Sequence, residues 1–196
     1  MKPLTPNTPH VIIMVGIPGS GKTTFAEHFA KTFDAPYINP LTIAKLIGSD
    51  AETTEKITKL LFDELLKTNT TLIYEGSTYL RTQRMALENM VTKAGYKPLL
   101  VWVQTDPAES KHRATKKGIN SLSNAEFDAA FRQFQNPSET EKPVVISGKH
   151  TYPTQLKAVL MRLATTRPQA PQAPQKPLPP TPPHPRIVPG RNITIR

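Results

Sequence analysis

The densest chemistry in this 196-residue sequence lies in Gly16-Ile17-Pro18-Gly19-Ser20-Gly21-Lys22-Thr23. The spacing is G-x-x-x-x-G-K-[ST], the pattern of a loop that cradles phosphates. Gly16 closes a strand in a tight turn, while Gly19 and Gly21 can take positive φ and let the backbone approach an anion. Successive N–H groups then form a nest for a β-phosphate, and the following helix adds the positive end of its dipole. Lys22 reaches the β/γ-phosphates as a point charge, and the Thr23 hydroxyl is a hard oxygen ligand for Mg²⁺. Pro18, Ser20 and Thr24 complete the expected nucleotide contacts.

Such a loop means little without its flanks. Val11 to Val15 is a continuous apolar run, as a buried strand requires, and Phe25, Phe29 and Phe33 recur at helical spacing after it. The pattern continues along the chain. Strands are expected at 10–16, 36–38, 71–75, 98–104 and from Val144 to Ile146. A first helix is expected at 22–33. Asn39 with Pro40 caps a short helix that stops at Gly48. The Ser49 to Glu52 segment opens a helix with Ile57, Leu60, Leu61 and Leu65 facing inward. Further helices are expected at 80–94 (Leu87, Met90, Val91 and Ala94 inward), after Asp106-Pro107, after Ser123 (with Phe127, Phe131 and Phe134 as a core stripe), and over Leu156 to Leu163. Apolar strands alternating with helices predict an α/β three-layer sandwich around a five-stranded, mainly parallel sheet. Ligands bind at the carboxyl ends of such strands. The glycine-rich loop, Asn39, Glu75 and Thr105 all fall there.

Composition narrows the class. No cysteine is present, which excludes a disulfide framework and thiolate metal sites. The first ten residues carry three prolines and no apolar h-region, and the longest apolar run is too short to span a bilayer. A cytoplasmic protein with no membrane association is expected. The net charge is +10, and half of it lies in Arg167, Lys176, Arg186, Arg191 and Arg196. In that tail prolines fall at every third position from 168 to 183, the repeat of an extended polyproline helix. The expected division is a disordered lead-in at 1–9, a globular domain at 10–166 and a Pro-rich basic disordered tail at 167–196. The tail acts as a spacer or as a ligand for a protein partner with an aromatic groove.

Beyond the loop, Glu75 ends an apolar strand, where a carboxylate can hold Mg²⁺ through water or orient a nucleophile. Arg113, Lys116 and Lys117 follow the fourth strand, and a basic segment there can stabilise charge on a transferring phosphoryl group.

Val15 to Thr23, Ile73-Tyr74-Glu75-Gly76-Ser77, Asp106-Pro107 leading to Arg113 and Lys117, and Phe134-Gln135-Asn136-Pro137 together resemble the ATP-dependent polynucleotide-kinase-like P-loop proteins. These are the "AAA domain" small kinases that border the zeta-toxin group. The resemblance covers roughly residues 10–165. It implies a P-loop NTPase fold, ATP and Mg²⁺, a basic lid to which Arg113 and Lys117 correspond, and a substrate-contacting region around Arg84. The family usually places an Asp after the second strand as general base. Here that region reads Tyr37-Ile38-Asn39-Pro40-Leu41-Thr42, with no carboxylate. Asn39 or Thr42 can bind an acceptor but cannot take its proton at pH 7.

Two functions follow as expectations. One is a kinase, with Lys22, Glu75 and Arg113 catalytic, that phosphorylates a hydroxyl of a nucleic acid, nucleotide or small metabolite. The other is an ATP-binding or slowly hydrolysing switch module that presents its tail to a partner. A guanine nucleotide is not expected, because no N-K-x-D segment is present.

Overall fold

A computed structural model describes residues 8–116 and 121–165. The expected lead-in and tail lie outside these residues. In chain order the elements are β1 (His10–Val15), α1 (Lys22–Phe33), β2 (Tyr37–Ile38), α2 (Pro40–Ile47), α3 (Ala51–Leu66), β3 (Leu72–Tyr74), α4 (Arg81–Lys93), β4 (Lys97–Gln104), α5 (Pro107–Thr115), α6 (Asn124–Gln133), β5 (Val144–Ser147) and α7 (Tyr152–Thr165). The strands form one sheet in the order β2-β3-β1-β4-β5, and every pair is parallel. Among the described residues no helix is long and apolar enough to cross a membrane.

β1 is the centre of the sheet, and all six of its residues are buried. Alternation sends Ile12 and Met14 to one face and Val11, Ile13 and Val15 to the other. On the first face they meet Phe25, Ala26 and Phe29 of α1 and Val159 and Leu163 of α7. On the second they meet Phe62 and Leu66 of α3 and Leu87 and Val91 of α4. Burying each such side chain contributes roughly 1.5–3 kcal/mol, so β1 and the loop that leaves it sit on the best-packed part of the molecule.

The caps follow local chemistry. The Asn39 Oδ1 accepts from the N–H groups of Leu41 (2.9 Å) and Thr42 (3.4 Å), with Pro40 at the first helical position. Asp106 does the same for Ala108 and Glu109. Ser123 and Glu126 form a reciprocal capping box. α1 differs: its N-cap is Gly21, no side chain bonds its first turn, and no acidic residue lies there.

The expected faces of α3 and α6 are corrected, and that of α4 keeps Leu87, Met90 and Val91, loses Ala94 to solvent and gains Arg84. α3 buries Thr54, Thr58, Phe62 and Leu66, whereas Leu60 is 61% exposed and Leu61 is also exposed. Two threonines face inward here, so the hydrophobic period alone misplaces the face by about one residue. α4 buries Arg84 with Leu87 and Val91. In α6 only Phe127 is buried, and Phe131 is 42% exposed beside a cleft described below. α2 buries none of its residues.

Candidate functional site

The glycine-rich loop leaves β1 and enters α1 with Gly16, Gly19 and Gly21 at φ of +152°, +75° and +104°. Two of these glycines are also required by contact. A Cβ on Gly16 would stand 2.7 Å from the Val103 carbonyl oxygen, and one on Gly19 would stand 2.2 Å from that of Ser110 in α5. The loop is thus wedged against the end of β4 and against α5. From the third side Gly148, after β5, packs where a Cβ would meet the Ser20 carbonyl oxygen at 2.1 Å. The Thr105 hydroxyl donates to that same carbonyl at 3.0 Å. The Lys22 ammonium donates to the carbonyls of Gly16 and Ile17, both at 2.9 Å. Burial pushes its pKa down, and the charge of Glu75 pulls it partly back. The Ser20 Oγ is buried with no hydrogen-bond partner among the described residues. Closely packed walls, a helix N-terminus without a side-chain cap and a half-buried cation suit a phosphate chain.

Glu75 follows β3, next to β1 in the sheet. The parallel register that sets Ile13 against Tyr74 carries its carboxylate to the start of α1. The Thr23 hydroxyl donates to Oε1 at 2.8 Å and the Tyr37 hydroxyl to Oε2 at 2.6 Å. The Asn39 amide Nδ2 then donates to the Tyr37 oxygen at 3.0 Å. Burial, and next the charge of Glu75, hold the Tyr37 phenol far above its ordinary range, so it is a hydrogen-bond donor at any working pH. A hydroxyl and a carboxylate are hard oxygen donors, and Mg²⁺ takes one or two such ligands and keeps several waters. Thr23 and Glu75 fit that ion.

On the other side of the loop stands a group of charges. Glu109 of α5 receives Arg113 on one oxygen and Lys149 on the other, the latter at 2.9 Å. Arg113 also donates to the Gly148 carbonyl at 3.1 Å. A cleft of about 440 Å³ lies beside them, lined by Ile17, Trp102, Gln104, Asp106, Phe131 and Lys149 among others.

The structure brings Lys22, Thr23 and Glu75 together and holds Arg113 against the loop's outer wall. Pro18 is half-buried and Thr24 exposed. Asn39 is buried and occupied twice over, as cap and as donor to Tyr37, while Thr42 is exposed. Lys117 lies outside the described residues. Arg84 corrects the expectation of a substrate contact. It is fully buried, its Nε and Nη2 donate to Glu141 at 2.6 and 3.2 Å, and its Nη1 donates to the carbonyls of Thr78, Tyr79 and Gln135. Its guanidinium is committed to the protein. Sequence reasoning passed over Tyr37, Glu109, Gly148 and Lys149. Tyr37 carried one usable signal, a phenol one strand-end away from a predicted metal carboxylate.

The model of the AAA domain family matches residues 11–137. No curated protein matches the chain. Several solved structures share the fold. A gluconokinase from Sinorhizobium meliloti 1021 is 16% identical with a TM-score of 0.58, covering 81% of this chain and 93% of its own. Kti12 of Chaetomium thermophilum, in complex with ADP-AlF3, is 12% identical with a TM-score of 0.64, covering 79% and 97%. The APS kinase CysC of Mycobacterium tuberculosis, in complex with AMPPNP and APS, is 15% identical with a TM-score of 0.61, covering 83% and 100%. At such identities the likeness is one of fold: an α/β P-loop sandwich.

Proposed function

The chain belongs to the AAA domain family, and from that premise we propose that it is an ATP-dependent kinase. It transfers the γ-phosphoryl group of ATP to a hydroxyl of a nucleic acid, nucleotide or small metabolite. The observation that carries this reading is the 2.8 Å contact between Thr23 and Glu75, set beside a glycine-rich loop packed closely against the end of β4 and against α5. Gly16 to Thr24 would wrap the triphosphate with backbone N–H groups. Lys22, now bonded to two loop carbonyls, would turn to the β/γ-phosphates. Mg²⁺ held by Thr23 and, through water, by Glu75 would neutralise phosphate charge. Arg113 would leave Glu109 and, together with Lys117, meet charge developing on the phosphoryl group. The nucleotides in the Kti12 and APS kinase complexes support ATP, and the gluconokinase and APS kinase support a kinase.

A second reading, an ATP-binding or slow ATPase switch module presenting the Pro-rich tail to a partner, is favoured by one observation. Asn39 stands where the resemblance implies an Asp, and its amide is already engaged. General acid–base catalysis typically contributes about 10²–10⁴-fold. A transfer assay with γ-labelled ATP and Mg²⁺ separates the two. The acceptor panel holds 5′-hydroxyl oligonucleotides, nucleosides, sugar derivatives and water alone. The kinase reading expects label on one acceptor class. Label released only as phosphate sinks it and favours the switch. Lys22→Ala tests the nucleotide site beneath both readings. Losing a hydrogen-bonding charge of about 1.5–3 kcal/mol should weaken ATP binding by about 10–100-fold.

A further inference from the structure

We propose that Tyr37, held by Asn39, is a positioning residue that fixes the direction of the Thr23 hydroxyl and so sets how strongly Mg²⁺ couples to nucleotide binding. The proposal rests on the nucleotide reading above and adds a part that the P-loop pattern does not contain.

The argument is one of donors and acceptors. An ionised carboxylate only accepts hydrogen bonds. The protons of Thr23 and Tyr37 must therefore both point at Glu75, at 2.8 and 2.6 Å. With its proton turned to Glu75, the Thr23 oxygen presents its lone pairs away from the carboxylate, as a metal ligand must. A Thr hydroxyl left to itself rotates, and in some rotamers its proton occupies the position a cation needs. Glu75 does the aligning, but a carboxylate on a strand end can also swing. Tyr37 pins its second oxygen.

Asn39 completes the device, and its residue type follows from two simultaneous demands. The cap of α2 needs an acceptor, supplied by Oδ1 to the N–H groups of Leu41 and Thr42. The Tyr37 oxygen, having spent its proton on Glu75, needs a donor, supplied by Nδ2 at 3.0 Å. Aspartate caps a helix equally well but has no donor when ionised. It would compete with Glu75 for the single phenol proton. Asparagine is the helix-capping side chain that offers a carbonyl oxygen and an N–H on separate atoms. The departure from the family's Asp is on this account a fitted part of the site. The local cluster reads, in hydrogen-bond direction, Asn39 to Tyr37 to Glu75, and Thr23 to Glu75.

The test measures ADP binding by calorimetry on the full chain, once in MgCl₂ and once in EDTA, for wild type, Tyr37→Phe and Thr23→Val. Wild type should bind more tightly with Mg²⁺. Thr23→Val, lacking the hydroxyl, should lose that gain. Tyr37→Phe should keep its EDTA affinity within about twofold yet lose about tenfold of the Mg²⁺-dependent gain, the weight of one hydrogen bond to a charged group. A purely structural role for Tyr37 would weaken binding equally in both buffers. That result, or an unchanged Mg²⁺ gain, overturns the proposal. If Tyr37→Phe does not fold, Asn39→Ser is used in its place. It keeps a capping oxygen, removes the amide donor, and should lose part of the Mg²⁺ gain; an intact gain overturns the proposal. If wild type binds ADP in neither buffer, the nucleotide reading itself fails, and this inference with it.

Discussion

Replacing Arg84 separates a structural cation from a substrate-binding one. Its guanidinium ties the stretch after β3 to two points more than 50 residues further on, Gln135 and Glu141. Nη1 reaches the carbonyls of Thr78 (3.0 Å) and Tyr79 (3.3 Å) after β3, and that of Gln135 (2.9 Å) after α6. Nε and Nη2 reach both oxygens of Glu141, which is itself 5% exposed. Arg84→Met removes the charge but keeps much of the stem volume. Glu141 then loses its cation and the carbonyls of Thr78 and Gln135 lose the guanidinium donor, while that of Tyr79 keeps the Gln135 N–H at 2.9 Å. Breaking a buried ion pair from one side costs about 3–5 kcal/mol, which in a domain of this size lowers Tm by about 6–20 °C. Arg84→Met with Glu141→Gln removes both charges and should recover part of that loss, because the orphaned carboxylate is gone. Thermal unfolding followed by circular dichroism measures all three proteins. Nucleotide affinity, read well below the transition, should stay near wild type. If Arg84→Met instead melts within about 2 °C of wild type while acceptor labelling collapses, Arg84 contacts substrate and the structural reading is wrong.

Two further outcomes follow from single contacts. Gly19→Ala should destabilise the fold more than Gly48→Ala. Both sites have positive φ, which costs a non-glycine residue about 1–3 kcal/mol, but the new Cβ meets the Ser110 carbonyl at 2.2 Å at Gly19 and nothing within 4 Å at Gly48. Equal urea midpoints for the two variants would refute the wedged-loop geometry. Stability should also fall in acid over two windows. His10 is buried in β1, and burial outweighs the Thr8 backbone contact to depress its pKa. The unfolded chain therefore binds the extra proton first, and stability present above about pH 6.5 declines as pH drops below it. Glu141 is pushed up by burial but pulled further down by Arg84 and Ser138, for a net depression. Its contribution is present above about pH 4.3 and is lost as pH falls through its folded value. Urea unfolding from pH 8 to pH 3 measures both, and His10→Phe should flatten the upper window alone.

Much of this architecture is legible in the sequence because it is local. The loop pattern, the run Val11 to Val15, the capping residues Asn39, Asp106 and Ser123, and the alternation of apolar strands with helices each depend on neighbours within a few positions. They suffice for the five strands and the helices α1 to α7, to within a residue or two at most ends. Helix faces were less legible. α3 turns Thr54 and Thr58 inward and leaves Leu60 and Leu61 in solvent. The Thr54 hydroxyl finds a local partner at the Asp50 carbonyl, whereas that of Thr58 is buried with no hydrogen-bond partner among the described residues, and hydrophobicity alone scores neither.

The site was legible only in part, for a reason of register. Thr23 and Glu75 stand 52 residues apart, and Tyr37 and Glu75 stand 38 apart. Their meeting depends on β3 lying between β1 and β2, an order that a list of strands does not contain. Once the order β2-β3-β1 is fixed, the strand ends become neighbours about 4.8 Å apart, and the residues just beyond them, Gly16, Glu75 and Asn39, must share one rim. The same geometry explains why Arg84 deceives. It follows β3 in a region where the resemblance places substrate contacts, and an arginine beside a phosphate site invites that role. Yet the loop that carries Thr78 and Tyr79 has carbonyls that no strand pairs, and a five-donor guanidinium satisfies them from within. A charge seen in sequence near a site is ambiguous until its partners are known. Here Glu141 and three carbonyls leave the Arg84 guanidinium nothing to offer a ligand, whereas Arg113 and Lys149 share one carboxylate at the surface.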